Sequence, residues 1–182
     1  MPPDWSKVEA EFVRLPRREV VNLAARAAER LAPVLAQAAD HYGPEAFEWL
    51  HALAATIRTA RRYAAGEPVT RFALDLASDA ARCAANAMAG AAQLLGPAAA
   101  HEACENAMAA AAFAADCARA RSPAQAAQRA VQAVRAAGAV PPATGPLWPD
   151  GEPAWFAQGL DRYRRAFPPE TGIPPPDGGL PS

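Results

Sequence analysis

Residues 96–125 read GPAAAHEACENAMAAAAFAADCARARSPAQ, and this stretch decides the fold. Gly96-Pro97 punctuates the chain, and the segment from Ala98 to about Arg121 is roughly half alanine, the best helix former. Cys104, Met108, Ala111 and Ala115 recur at three- and four-residue steps, which places them on one face of a helix. Ser122-Pro123-Ala124-Gln125 then supplies an N-cap, a proline at N1 and a glutamine at N3, the start signal of a separate helix. Two consecutive helices this rich in small side chains bring their backbones close together, so dense packing replaces bulky core residues. The expected fold class is all-α, an alanine-rich bundle of about five main helices with a proline-rich C-terminal extension.

The same punctuation recurs towards the amino terminus. Thr70, after the turn Gly66-Glu67-Pro68, caps a helix running to about Leu95 and carrying Phe72, Leu76, Cys83 and Met88 amid many alanines. Gly43-Pro44 fits the start of another, lined by Phe47, Leu50, Leu53, Ala54 and Ile57. From Arg17, the residues Val20, Ala24, Ala27, Leu31, Val34 and Ala38 define one more face. Pro33 lacks the N–H that would bond four residues back, which predicts a kink or break near Ala32. Ser6 and Glu9 have capping-box spacing and open a short first helix that ends near Leu15, before Pro16.

Towards the carboxyl terminus, Ala124, Ala127, Val131 and Val134 form the expected inner stripe of the helix that Gly138 stops. Five of the nineteen prolines then fall between Ala139 and Pro153, together with Trp148. A short helix over 152–167, bearing Trp155, Phe156, Leu160, Tyr163 and Phe167, is expected to dock on the bundle. The organisation read from the chain is a bundle over 1–138, a Pro/Trp linker with a docking helix over 139–167, and a disordered tail over 168–182.

Eighteen basic and nineteen acidic residues leave a net charge of −1, so no global field draws a polyanion, and nucleic acid is not an expected partner. Cys83, Cys104 and Cys117 lie in apolar helical runs without metal-finger spacing, and read as reduced core residues. No apolar run reaches the length of a membrane span, and Met-Pro-Pro-Asp-Trp does not begin a leader. The expectation is a cytoplasmic protein, monomer or homodimer, without membrane contact.

Candidate chemistry is sparse. Glu48 and His51 have the i,i+3 spacing that carboxylate-bridged metal bundles use, but that motif must come twice and here does not. His101, Cys104 and Glu105 sit within about one helical turn and are the weak candidates for a metal; the alternative is an exposed His101–Glu105 pair with Cys104 packed inward. Phosphate-cradle, dinucleotide, hydrolase-elbow and zincin motifs are absent, so no catalytic residue and no cofactor are assigned. Arg58, Arg61 and Arg62, beside Tyr63 and followed by Glu67, form a candidate surface for an acidic protein partner, because guanidinium forks match carboxylates and aromatics anchor interfaces. Trp148 and Trp155 are further partner-binding candidates, unless they pack on the bundle.

The segment from Asn22 to about Ala120 resembles the bacterial immunity proteins of the Imm-5-like helical group. The resemblance is carried by Ala24-Ala-Arg-Ala-Ala-Glu-Arg-Leu-Ala-Pro-Val-Leu35, by Ala60-Arg-Arg-Tyr-Ala-Ala-Gly-Glu67, by Ala80-Ala-Arg82, and by the alanine-rich run from His101 to Ala120. The Ala60–Glu67 piece, similar to that family's aromatic-x-x-Gly-Glu helix end, is its most distinctive part. The resemblance implies a non-enzymatic protein that neutralises a toxin by binding it, without catalytic residues. The chain adds an amino-terminal helix and the Trp-bearing carboxyl-terminal region to that pattern. Two other readings stay open: a small metal-binding or redox protein using His51, His101 and Cys104, and a bundle holding an apolar ligand among Phe72, Met88, Met108 and Phe113.

Overall fold

In the computed structural model, residues 3–42, 45–95 and 98–147 are described, together with 158, 161, 162 and 165. Six helices succeed one another: α1 (Trp5–Arg14), α2 (Arg17–Tyr42), α3 (Glu45–Ala64), α4 (Arg71–Leu95), α5 (Ala98–Arg119) and α6 (Pro123–Ala136). The start signals act as read in two cases. The Ser122 hydroxyl accepts from the Gln125 N–H at 3.2 Å, while the Gln125 side chain accepts from the Arg121 N–H at 2.8 Å. Thr70 accepts from the Ala73 N–H at 3.2 Å. At α1 the cap is Asp4 instead of Ser6: its carboxylate accepts from Ser6 and Lys7 N–H groups, and a carboxylate is the stronger acceptor at the positive end of a helix.

The alanine-rich α5 is the axis of the bundle and packs against α2, α3, α4 and α6. Cys104, Ala107, Met108, Ala110, Ala111, Ala114, Ala115 and Cys117 are all buried, so burial is not confined to the single face that the periodicity suggested. A helix apolar on every side belongs in the middle, and alanine lets four neighbours reach it. The short α1 lies outside, on α6, with Arg135 stacked 5.8 Å from the Trp5 ring centre.

Two expectations are corrected, those of Cys83 as a core residue and of Ala124 in an inner stripe. Of the kink or break expected near Ala32 there is no break: α2 is continuous through Pro33, and the proline ring is fully buried. Helix α4 turns Leu74, Ala77, Ser78, Ala81 and Ala84 inward. Phe72, Leu76 and Cys83 face solvent, because the small-residue stripe allows a closer approach to α5 than the large one would. On α6, Ala124 is exposed, whereas Ala127, Val131 and Val134 are buried as expected. The side chains of Phe47, Met88 and His101 lie outside the described residues.

Gly66 and Gly138 end α3 and α6 with φ of +86° and +76°, the left-handed region where a side chain is strained. Beyond Gly138 the chain folds back as a strap over α2. Asn22 donates to the Ala143 carbonyl at 2.8 Å and Arg26 to that of Gly145 at 2.6 Å. Arg30 donates twice to that of Leu147, at 2.9 and 2.5 Å. Pro141 and Leu147 are buried. The carboxyl-terminal helix expected over 152–167 and the tail over 168–182 lie almost wholly outside the described residues; Gln158, Asp161, Arg162 and Arg165 have helical backbone and are exposed.

Candidate functional site

The arginines grouped by sequence near the end of α3 point different ways. Arg61 turns inward, with its Nε 3.2 Å from Glu29, and donates to the Asn22 side chain. Arg62 turns outward and pairs with Glu67 at 2.6 Å, across the turn that closes α3. Arg58 is partly buried, and its Nε has no hydrogen-bond partner. Tyr63 packs against the core. The row therefore supplies one structural bridge to α2 and one exposed ion pair, not a set of free guanidinium forks. Trp148 and Trp155 lie outside the described residues.

The side chain of His101 lies outside the described residues, so of the metal candidates the structure places Cys104, Glu105, Glu48 and His51. Cys104 is turned into the core, Glu105 is half-buried, and Glu48 and His51 are exposed. Among the described residues no three of His, Cys, Asp and Glu gather as a metal would need. Burial pushes the Cys104 thiol up to about 11. Cys117 rises to about 12, chiefly by burial, which outweighs the opposing charge of Arg17 and is aided by Asp116. Both are inert thiols at neutral pH. Of the apolar residues that could have lined a ligand cavity, Phe72 stands at the surface while Met108 is fully buried, so these two do not face one space.

What the structure brings together instead lies on α4. Phe72 is 74% exposed and Leu76 60% exposed, one turn apart on the same face. Their helix is held from behind. The Asp116 carboxylate, buried on α5, accepts from the Ser78 hydroxyl at 2.7 Å, from Arg119 Nε at 2.9 Å, and from Arg82. Arg119 also bonds Asp75 at 2.6 Å. Burial alone would lower the Arg119 pKa, but the hydrogen bond to Asp75 and the charges of Asp116, Asp75 and Asp79 hold it above its usual value. On the other side, the Thr56 hydroxyl lies 2.7 Å from the Ala52 carbonyl oxygen and 2.8 Å from that of Ala77, fixing α4 to α3.

A rigid helix thus presents an aromatic and an aliphatic side chain to water, bordered by Arg71, Asp75 and Asp79. Such a surface suits recognition of another apolar surface and carries no group positioned for bond-breaking chemistry. Sequence periodicity finds these residues but does not say which way they face, since α4 bears two apolar stripes and only the small-residue one is buried. No family model, no curated protein and no solved structure matches the chain. Among the described residues, no helix is long and apolar enough to cross a membrane.

Proposed function

We propose that this chain is a non-enzymatic protein-interaction module that engages a protein partner through the outer face of α4. The observation that carries the reading is the exposure of Phe72 and Leu76 on a helix whose rotation is fixed by Asp116, Ser78 and Thr56. A large aromatic side chain held in water by a rigid frame loses little conformational entropy when a partner covers it. The finer reading is toxin neutralisation of the immunity-protein kind. Its support is the similarity of Ala60–Glu67 to that family's helix end, which here closes α3 through the Arg62–Glu67 pair immediately before α4.

The test is co-expression of the chain with the products of its neighbouring genes, followed by affinity measurement on purified pairs. The expected result is one specific partner whose binding weakens by about tenfold or more in Phe72→Ser/Leu76→Ser, with unchanged helical circular dichroism. A partner bound equally well by the double variant removes α4 from the interface. A partner that is a toxin, silenced on binding, supports the finer reading; the absence of any partner overturns both.

A further inference from the structure

A net charge of −1 conceals how the charges are distributed along the bundle. Helices α1, α3 and α5 finish, and α2, α4 and α6 begin, at one end: Arg18 of α2 lies against Gly66 after α3, and Asp75 of α4 meets Arg119 of α5. Arginines gather at that end. The exposed carboxylates Asp4, Glu48 and Glu102 stand near the beginnings of α1, α3 and α5, at the opposite end.

Three of the gathered arginines are matched within the chain: Arg61 by Glu29, Arg62 by Glu67 and Arg119 by Asp75. Arg14, Arg18 and Arg71 are exposed, and among the described residues their side chains have no ion-pair or hydrogen-bond partner. Two of them also stand where a cation is unfavourable. Arg18 is the second residue of α2 and Arg71 the first of α4, at the positive ends of those helix dipoles. Helix α4 has no acidic residue in its first turn to offset the charge. The Arg18 guanidinium is also closely placed, since a side-chain carbon at Gly66 would come within 2.8 Å of it. Local rules of this kind are broken chiefly at functional sites.

This charged end is continuous with the apolar face of α4, because Arg71 immediately precedes Phe72. We propose that the partner covering Phe72 and Leu76 is an acidic protein surface, whose carboxylates reach Arg71 and, across the turn that joins α3 to α4, Arg18, with Arg14 beyond it. Guanidinium forks take carboxylates two oxygens at a time. Nucleic acids and anionic membranes present unbroken negative charge, which Asp79, exposed one turn from Leu76, and the half-buried Asp75 repel. A protein alternates its charges, and can set a neutral or basic group over Asp79 while its carboxylates meet the arginines. The inference rests on the assignment of Phe72 and Leu76 to an interface, and adds the chemistry of what covers them.

The probe is a fluorescein-labelled peptide, Glu-Glu-Leu-Glu-Glu-Leu-Glu-Glu, followed by fluorescence anisotropy on the full chain. Arg18→Gln/Arg71→Gln should bind it about tenfold or more weakly than wild type, and Lys7→Gln, on α1 away from this end, within about twofold of wild type. Raising the salt from about 0.05 M to about 0.3 M should weaken wild-type binding by about fivefold or more. In urea unfolding the double variant should be no less stable than wild type, because the charges it removes oppose the helix dipoles. A less stable double variant assigns both arginines to the fold and overturns the proposal. No binding by wild type overturns it too, as does equal binding by the double variant. Duplex DNA or phosphatidylserine vesicles bound more tightly than the peptide, and released by the same substitutions, overturn the choice of an acidic protein. Phe72→Ser/Leu76→Ser separates the two readings. Binding lost there but kept in the arginine variant overturns the charged contact and spares the apolar one. Binding lost in the arginine variant but kept there removes Phe72 and Leu76 from the interface and overturns the shared surface.

Discussion

At the scale of single residues the three cysteines are the sharpest case. Periodicity reads all of them as core, yet only Cys104 and Cys117 are buried, while Cys83 shares the exposed side of α4. In the native protein one thiol per chain should react rapidly with a disulfide reagent at pH 8, and all three after unfolding; fast reaction of two or three native thiols would refute the placement. The buried pair also sets a pH dependence. Their folded pKa values lie near 11 and 12, above the ordinary 9.0, so the folded state holds protons that the unfolded state gives up. Stability is fully present below pH 9 and declines as pH rises towards 11–12, at up to about 1.4 kcal/mol per pH unit for each thiol. Urea melts between pH 8 and pH 11 check this: Cys104→Ala/Cys117→Ala should lose most of the cysteine-dependent slope. Asp116 is the other decisive residue. Asp116→Ala removes the acceptor of the buried Ser78 hydroxyl and one of the two carboxylates that hold Arg119, which keeps Asp75, and is expected to cost about 1–3 kcal/mol in urea unfolding, discounted because Arg82 is half-exposed.

At the scale of elements, helix boundaries are legible in the sequence because Gly-Pro and Ser-Pro pairs act through the local backbone, independently of what packs where. Faces are less legible. On α4 both 72/76/83 and 74/77/81/84 satisfy helical spacing, and the choice between them falls to the neighbours: Ser78 must meet Asp116, and Thr56 must reach the Ala77 carbonyl. Helical spacing alone does not choose between them. Leu74→Ala should therefore cost about 2–4 kcal/mol, whereas Phe72→Ala should change stability by no more than about 0.5 kcal/mol. Equal effects in chemical denaturation would mean that α4 is rotated from the orientation described. The strap is harder still to foresee. Its signal is present in the row Asn22, Arg26, Arg30, polar side chains at four-residue steps between alanines, but acceptors that are backbone carbonyls leave no mark in a sequence.

At the scale of the whole molecule, the near-uniform alanine composition of α5 has one structural reason: four helices converge on it. A conventional bundle helix tolerates bulk on its outer side, but α5 has almost no outer side between Cys104 and Ala120. That links local composition to global cooperativity, since none of α2, α3, α4 and α6 can leave without disturbing the shared axis. The unfolding transition should accordingly be two-state, with far-ultraviolet circular dichroism and tryptophan fluorescence, to which Trp5 and Trp49 contribute, tracing one curve. Ala111→Leu adds volume where α5 is fully buried and should cost about 3 kcal/mol, at the upper end for overpacking, because neighbours on several sides must move together. Ala124→Leu, on the exposed side of α6, is the matched control and should remain within about 0.5 kcal/mol of wild type. Similar stabilities for the two variants, or transitions that separate by probe, would show that the helices pack as independent pairs and that α5 is not the common axis.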